Sequence, residues 1–403
     1  MSKSQLGWVD FSADDRDRVK HALKKLSEPG TLDELGIGAL RDGFADLMFP
    51  GFSTIQTRAK YFITVPRIIH DYLRLKPQQR RKISLQKYLA EQETDLADRL
   101  RARHAGESEK ENGISGFSMQ PGQSVSRPPS SIYWVGLRKW GIVKTAGSLN
   151  QFLQGIQSRS GSFGQAQGDE EDDHDAQADA HLIYIDRYVP TWRDDVCIRL
   201  TKPEASFLSE KIKAGPTYCL PTQFEMLMVR DQALEPSKAS FPALAAWIAN
   251  LKGIPPETKD MVHMAQAFSE LIYGAHLRFN ICLARLNRRE NLLKDFNERW
   301  EDWRREIHTN PDDIERWLLA TKVNLKPGTL VFLKGWSSAI ARFASEPELD
   351  ALVQRQAREN KQERSVLNKR LPENFTWLGM ERLDYRWFLV RTVLRDMQEG
   401  LAC

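Results

Sequence analysis

The chain lacks any apolar run near the roughly 20 residues a membrane-spanning helix requires, which excludes that class of protein. Cysteine is scarce: Cys197, Cys219, Cys282 and Cys403 are far apart, and no CxxC pair occurs. That spacing excludes a disulfide scaffold and a zinc site, and it predicts a reducing, cytoplasmic setting. The N-terminal residues contain no apolar h-region, so no secretory signal is expected there. Charge of one sign is not in large excess, since 58 Lys and Arg face 54 Asp and Glu for a net charge of +4. The surface is therefore mildly basic, and the placement of the cations matters more than their sum. Catalytic motifs are missing as well. HExxH, GxSxG, the GxxxxGK[ST] nucleotide loop, and a nuclease-type set of carboxylates and lysine are all absent. No metal and no cofactor is expected.

What is present is helical periodicity in a chain of 403 residues, 41% hydrophobic and 28% charged, a balance that suits helices with wide solvated faces. Acidic caps predict a helix over residues 16–26. Periodicity predicts one over 54–75, interrupted at Pro66, and an amphipathic helix over 84–103 buries Leu85, Leu89, Leu96 and Leu100. Thr201 precedes a helix over 203–213, and residues 258–293 form a long apolar one. Residues 106–129 read as a polar loop. Residues 183–200 carry the aromatic and β-branched content of short strands or an extended segment. The segment 158–181, SRSGSFGQAQGDEEDDHDAQADAH, cannot bury enough apolar surface to offset the entropy of ordering it, and reads as a flexible acidic linker. The expected organisation is a helical N-terminal domain over 1–157, a linker over 158–181 and a helical C-terminal domain over 182–403. The fold class is mainly α, with a helix-turn-helix or winged-helix-like unit in the N-terminal part and few short strands.

That unit rests on Arg127 to Ile142, RPPSSIYWVGLRKWGI. Two prolines stop what precedes, a serine can cap, and a short helix then carries Ile132, Trp134, Leu137 and Trp140 beside Arg138 and Lys139, with Gly141 at its end. Ser148 to Ile156 repeats the pattern of cap and apolar period. Helix, glycine turn and helix in a basic setting is the arrangement that lies on nucleic acid. Between Arg58 and Arg103 there are twelve Lys or Arg against five Asp or Glu. Arg58, Lys60, Arg67, Arg138 and Lys139 are the expected phosphate contacts. The competing reading of these cations is a solvated helix face. Arg355, Arg358, Lys361, Arg364, Lys369 and Arg370 make a second basic face, where Glu359 and Glu363 offer i,i+4 partners.

Other features have plainer readings. Gly51-Phe52-Ser53-Thr54 could present N–H groups to a phosphate, but structural capping is the simpler role. Trp300, Trp303 and Trp317, with Trp336, Trp377 and Trp387 after them, have the spacing of core residues, although stacking on unpaired bases is open to them. His263 and His276 lie on the long apolar helix and read as core or edge groups. Asp384 is expected to cap the last helix, with Arg386 held in an ion pair.

Three passages resemble a known family: GFADLMFPGFSTIQTRAKYF from Gly43 to Phe62, the RPPSSIYWVGLRKWGI run, and the terminal LDYRWFLVRTVLRDMQEGL. MAQAFSELIYGAHLRFNICL, from Met264 to Leu283, resembles it too. The family consists of bacterial proteins of about four hundred residues that carry a domain of unknown function. The resemblance covers nearly the whole chain outside the linker and the polar loops. It implies a place in anti-phage defence islands, beside a large helicase with a phospholipase-D-like nuclease domain, and it supplies no catalytic residue.

The resulting expectation is a non-catalytic, DNA-associated subunit of a bacterial anti-phage system, acting with a helicase or nuclease partner. Two rivals stay open. One is a nucleic-acid-processing enzyme with a site assembled from distant residues, Asp46, Asp384 and Arg386 first among them. The other is a protein-binding scaffold using the helix over 258–293 and the C-terminal helix.

Overall fold

In the computed structural model, which describes residues 33–108, 112–162, 182–369, 371 and 375–403, the polypeptide is mainly helical. The first helices are α1 (Gly38–Met48), α2 (Tyr61–Leu73), α3 (Leu85–Arg103), α4 (Pro129–Lys139) and α5 (Leu149–Ser162). There follow α6 (Lys202–Lys213), α7 (Leu220–Met226), α8 (Phe241–Asn250), α9 (Pro256–Leu286) and α10 (Glu290–Glu306). The last are α11 (Asp313–Thr321), α12 (Pro327–Ala341), α13 (Glu346–Lys361) and α14 (Trp387–Ala402). Among the described residues the β-structure is one antiparallel bridge, Val143 to Ile183. The rest of 183–200 forms turns, bends and irregular backbone and no strand. The expected helix over 16–26 and residues 163–181 of the expected linker lie outside the described residues. Ser158, where that linker was expected to begin, is inside α5.

The contacts divide the chain into two units, neither continuous in sequence. One gathers residues 33–43 and Met264–Leu383; the other gathers Phe44–His263 and Asp384–Cys403. The division therefore falls at 43/44, 263/264 and 383/384, not at the acidic segment.

In the first unit the second half of α9 is the axis. Trp303 donates its indole N–H to Glu270 O at 3.0 Å, and Trp336 donates to Leu271 O at 3.0 Å. Gly274 makes this possible, because a Cβ there would lie 2.1 Å from the Trp303 ring. Trp300, Trp303, Trp317 and Trp336 are all buried, as their spacing predicts. Arg278 is wholly enclosed, paired with Asp350 and set against the Trp300 ring at 4.8 Å. His276 is buried beneath Gly379, and burial pulls its pKa down to about 4, so its ring is neutral. His263, by contrast, is exposed.

In the second unit α2 packs on α3 and α4, α5 packs on both α3 and α4, and α6 packs on α7 and α14. α2 begins at Tyr61 rather than near Thr54, and it continues through Pro66. A proline inside a helix costs about 3 kcal/mol. Burying Tyr61, Phe62, Ile63, Val65, Ile68, Ile69, Tyr72 and Leu73 at roughly 1.5–3 kcal/mol each outweighs it. α3 buries the four expected leucines, and Ser84 caps it by accepting the Lys87 N–H at 3.2 Å. Trp387 stacks on Phe49 at 5.9 Å and meets Phe224 edge-on at 6.0 Å, fixing the start of α14.

Candidate nucleic-acid interface

α4 and α5 form the expected helix pair, and the cap of α5 is local. Pro128 and Pro129 open α4. Ser148 and Gln151 make a reciprocal box at α5: Ser148 N–H donates to Gln151 Oε1 at 2.8 Å, and Gln151 N–H donates to Ser148 Oγ at 3.3 Å. The two helices are held together by Trp134 against Phe152 at 5.1 Å, and Trp134 Nε1 donates to Gly147 O at 3.2 Å. No wing hairpin occurs among the described residues; the Val143–Ile183 bridge is the strand pairing beside the helix pair.

The buried face of α4 is anchored with unusual density. Tyr133 OH accepts the N–H groups of Thr57 and Arg58 at 2.8 and 3.0 Å and donates to Arg58 O at 2.9 Å. At the helix start, the Glu93 carboxylate of α3 receives Ser130 N–H at 2.6 Å and Ser130 Oγ at 2.9 Å, so it caps α4 from another helix. Burial drives the Glu93 pKa up to about 7, against these two hydrogen bonds. Glu93 also lines a cavity of about 160 Å³ with Tyr61, Thr94, Arg101, Ser115 and Val125.

Three of the five residues expected to meet phosphate face inward instead. Lys60 is 3% exposed, and its ammonium sits 2.6 Å from Glu204 Oε2. Arg67 donates to the same carboxylate at 2.8 Å and to Asp186 at 2.6 Å. Glu204 also accepts Thr201 N–H at 2.9 Å, closing a capping box at the start of α6. Burial opposes its ionisation, yet Lys60, Thr201 N–H and Arg67 together hold its carboxyl below the usual carboxylate range. Arg58 grips Asp396 of α14 through Nε, at 3.0 and 2.9 Å from the two oxygens, and donates to Asn112 O at 3.0 Å. These cations are neutralised inside the second unit, which corrects the expectation of an open basic groove. The physical reason is burial: a cation this enclosed must be paired.

The other two expected residues sit at the surface. Lys139 is exposed; Arg138 is half-buried and donates to Thr145 O at 3.1 Å. Structure adds two cations that sequence reasoning missed. Lys211 of α6 approaches Gly141 O at 3.5 Å and lies 3.8 Å from the Tyr184 ring centroid, and the exposed Lys144 lies 4.7 Å from the same ring. Two ammonium groups thus share one phenol, whose pKa is held down chiefly by its hydrogen bond to Lys144. Among the described residues no carboxylate forms an ion pair with Lys139, Lys144 or Lys211. α5 turns the uncharged Asn150, Gln151 and Gln154 to solvent. No sequence signal ties Lys211 to the turn, since about seventy residues separate it from Gly141.

The remaining candidates are structural. The Gly51–Thr54 turn is closed by Gln56, which donates to Gly51 O at 3.0 Å and accepts Ser53 N–H at 3.3 Å. Asp384 accepts Phe388 N–H at 2.8 Å, near the start of α14, and burial pushes its pKa up to about 6. Arg386 pairs with Asp46 at 2.6 Å and donates to Phe52 O at 2.7 Å. On the second basic face Arg355, Arg358, Arg364 and Lys369 are exposed, Lys361 is half-buried, and Arg370 lies outside the described residues. No described group of His, Cys, Asp and Glu could hold a metal ion. No described helix is long and apolar enough to cross a membrane.

No curated protein and no solved structure matches this chain. A family profile does, over residues 3–400, and the chain therefore belongs to a family of unknown function, DUF6361.

Proposed function

We propose that this protein binds the phosphate backbone of DNA at the α4–α5 helix pair, with Lys139, Lys144, Lys211 and Arg138 as its phosphate contacts. The observation that carries this reading is the pair Lys144 and Lys211 on the Tyr184 ring, with Lys211 at Gly141 O in the turn after α4 and Lys139 exposed at the end of α4; none of the three forms an ion pair with a described carboxylate. Asn150 and Gln154, exposed on α5, have the side-chain amides that read base edges in a major groove. The plainer role of Arg138 and Lys139 is to complement the negative end of the α4 dipole. That role does not call for Lys144, or for a second ammonium on Tyr184. The resemblance described above extends the proposal to a DNA-associated subunit that acts beside a helicase or nuclease in anti-phage defence.

The test is fluorescence anisotropy on a labelled duplex across a salt series, comparing the wild type with Lys139→Glu/Lys144→Glu. Losing two phosphate contacts should lower the salt-dependence slope by about 2 and weaken binding at least tenfold, with an unchanged melting temperature. Equal affinity and slope in a folded variant would remove the proposal.

A further inference from the structure

Cys197 and His104, ninety-three residues apart in sequence, meet in the second unit. His104 follows the last turn of α3, where its N–H donates to Leu100 O at 3.0 Å, and the residue is 4% exposed. Its Nε2 lies 3.5 Å from Cys197 Sγ and 3.3 Å from Ile198 N. Its Nδ1 lies 3.1 Å from Glu107 Oε1. A backbone N–H can only donate, so the Ile198 contact makes Nε2 the unprotonated nitrogen. Nδ1 then carries the proton and donates it in a hydrogen bond to Glu107. The Glu107 carboxyl is held below its usual range, first by this hydrogen bond and then by that from Arg199, whose guanidinium sits 2.8 Å away. The result is a thiol facing the basic nitrogen of an imidazole that a carboxylate orients, which is the order nucleophile, base, orienter.

The other three cysteines differ. Cys219 and Cys282 are buried, and burial raises both thiols, Cys282 to about 12. Cys403 is exposed with its Sγ near Glu399 O at 3.3 Å, and no imidazole is assigned to it. Cys197 alone is half-exposed and faces a histidine. A partly open position beside an imidazole is where thiols react.

We propose that Cys197, with His104 as its base and Glu107 as the group that orients His104, is a reactive thiol site whose substrate class is small hydroperoxides. In the step, sulfur attacks the distal peroxide oxygen, the S–O bond forms and the O–O bond breaks. Sulfur is oxidised to a sulfenic acid and the peroxide is reduced. The thiol proton passes to His104 Nε2, which gives up the Ile198 N–H hydrogen bond for that step, and on to the departing oxygen, which leaves as water or an alcohol. Because His104 is almost enclosed, a two-oxygen electrophile suits the site better than a bulky one. This inference is independent of DNA binding.

The test treats the reduced full-length chain with sub-millimolar hydrogen peroxide at pH 7, traps sulfenic acid with dimedone and maps the label by mass spectrometry. The four cysteines serve as one another's controls. Cys197 should label at least about tenfold faster than Cys403, in keeping with what a positioned base contributes. His104→Gln keeps an acceptor for Ile198 N–H but cannot take a proton, and should bring Cys197 down to the rate of Cys403. Should that variant not fold, Glu107→Gln at the surface should slow Cys197 at least threefold without affecting Cys403. Equal labelling of Cys197 and Cys403 in the wild type would overturn the proposal, as would an undiminished rate in a folded His104→Gln.

Discussion

Glu93 shows how one residue can stand where the periodic reading of a sequence expects a leucine. It occupies the buried stripe of α3 between Leu89 and Leu96, and it is there because α4 begins at that point with backbone N–H groups that need an acceptor. Enclosing the carboxyl has a consequence for stability. Its pKa rises on folding, from the ordinary 4.5 to about 7, so between those values the folded chain binds more protons than the unfolded one. Stability contributed by the protonated form is therefore complete below about pH 4.5 and is lost as pH rises through about 7. Glu93→Gln keeps both contacts to Ser130 and cannot titrate. Urea melts at pH 5 and pH 7.5 should show the wild type losing on the order of 2 kcal/mol more than Glu93→Gln over that interval. Parallel losses in the two proteins would assign the shift elsewhere. Lys60 and Arg67 teach the complementary lesson. Each reads as a surface cation from its position, and each is a buried partner of Glu204. Spacing along a helix identifies which face a residue shares, but not whether that face meets solvent or a carboxylate.

At the scale of elements, most helices announce their ends. The Ser148–Gln151 and Thr201–Glu204 boxes, the Pro128–Pro129 opening and the Ser84 cap are written in adjacent residues, because capping is a contact across three positions. Close approach between elements is less legible. Gly136 on α4 lies against Gly51, so that a Cβ at Gly136 would be 2.6 Å from Gly51 O and 2.6 Å from the Phe62 ring. Gly136→Ala should gain about 1 kcal/mol of helix propensity yet lose more to that overlap, since overpacking commonly costs 1–3 kcal/mol and here one partner is backbone. The expected outcome is a net loss of stability, read as a lower urea midpoint with an unchanged slope. A stabilised variant would show that the Gly51 turn moves freely away from α4.

At the scale of the molecule, the sequence suggests a cut at the acidic segment, because composition changes abruptly there. The contacts follow another division. Arg58 reaches Asp396, Lys60 reaches Glu204, and Val143 pairs with Ile183, each joining residues on opposite sides of 158–181 within one unit. Fragments 1–157 and 182–403 should therefore each lack a cooperative thermal transition by circular dichroism. Separately buried carboxylates and cations would be left unpaired, at several kcal/mol for each pair broken. A sharp melt from either fragment alone would show that the halves fold independently.

The amino-acid order alone determined that this protein is helical, where many of its helices begin, that Trp300, Trp303, Trp317, Trp336 and Trp387 are core, though it also put the half-exposed Trp377 there, and that α4 and α5 form a pair. Those properties come from contacts within a few residues, and the chain carries them wherever it goes. Only the tertiary structure decided which cations are neutralised and which are left at the surface, and it alone set Cys197 against His104. The reason is that an ion pair or a thiol–imidazole contact depends on distance in space. Here the partners lie 93, 144 and 338 residues apart along the chain.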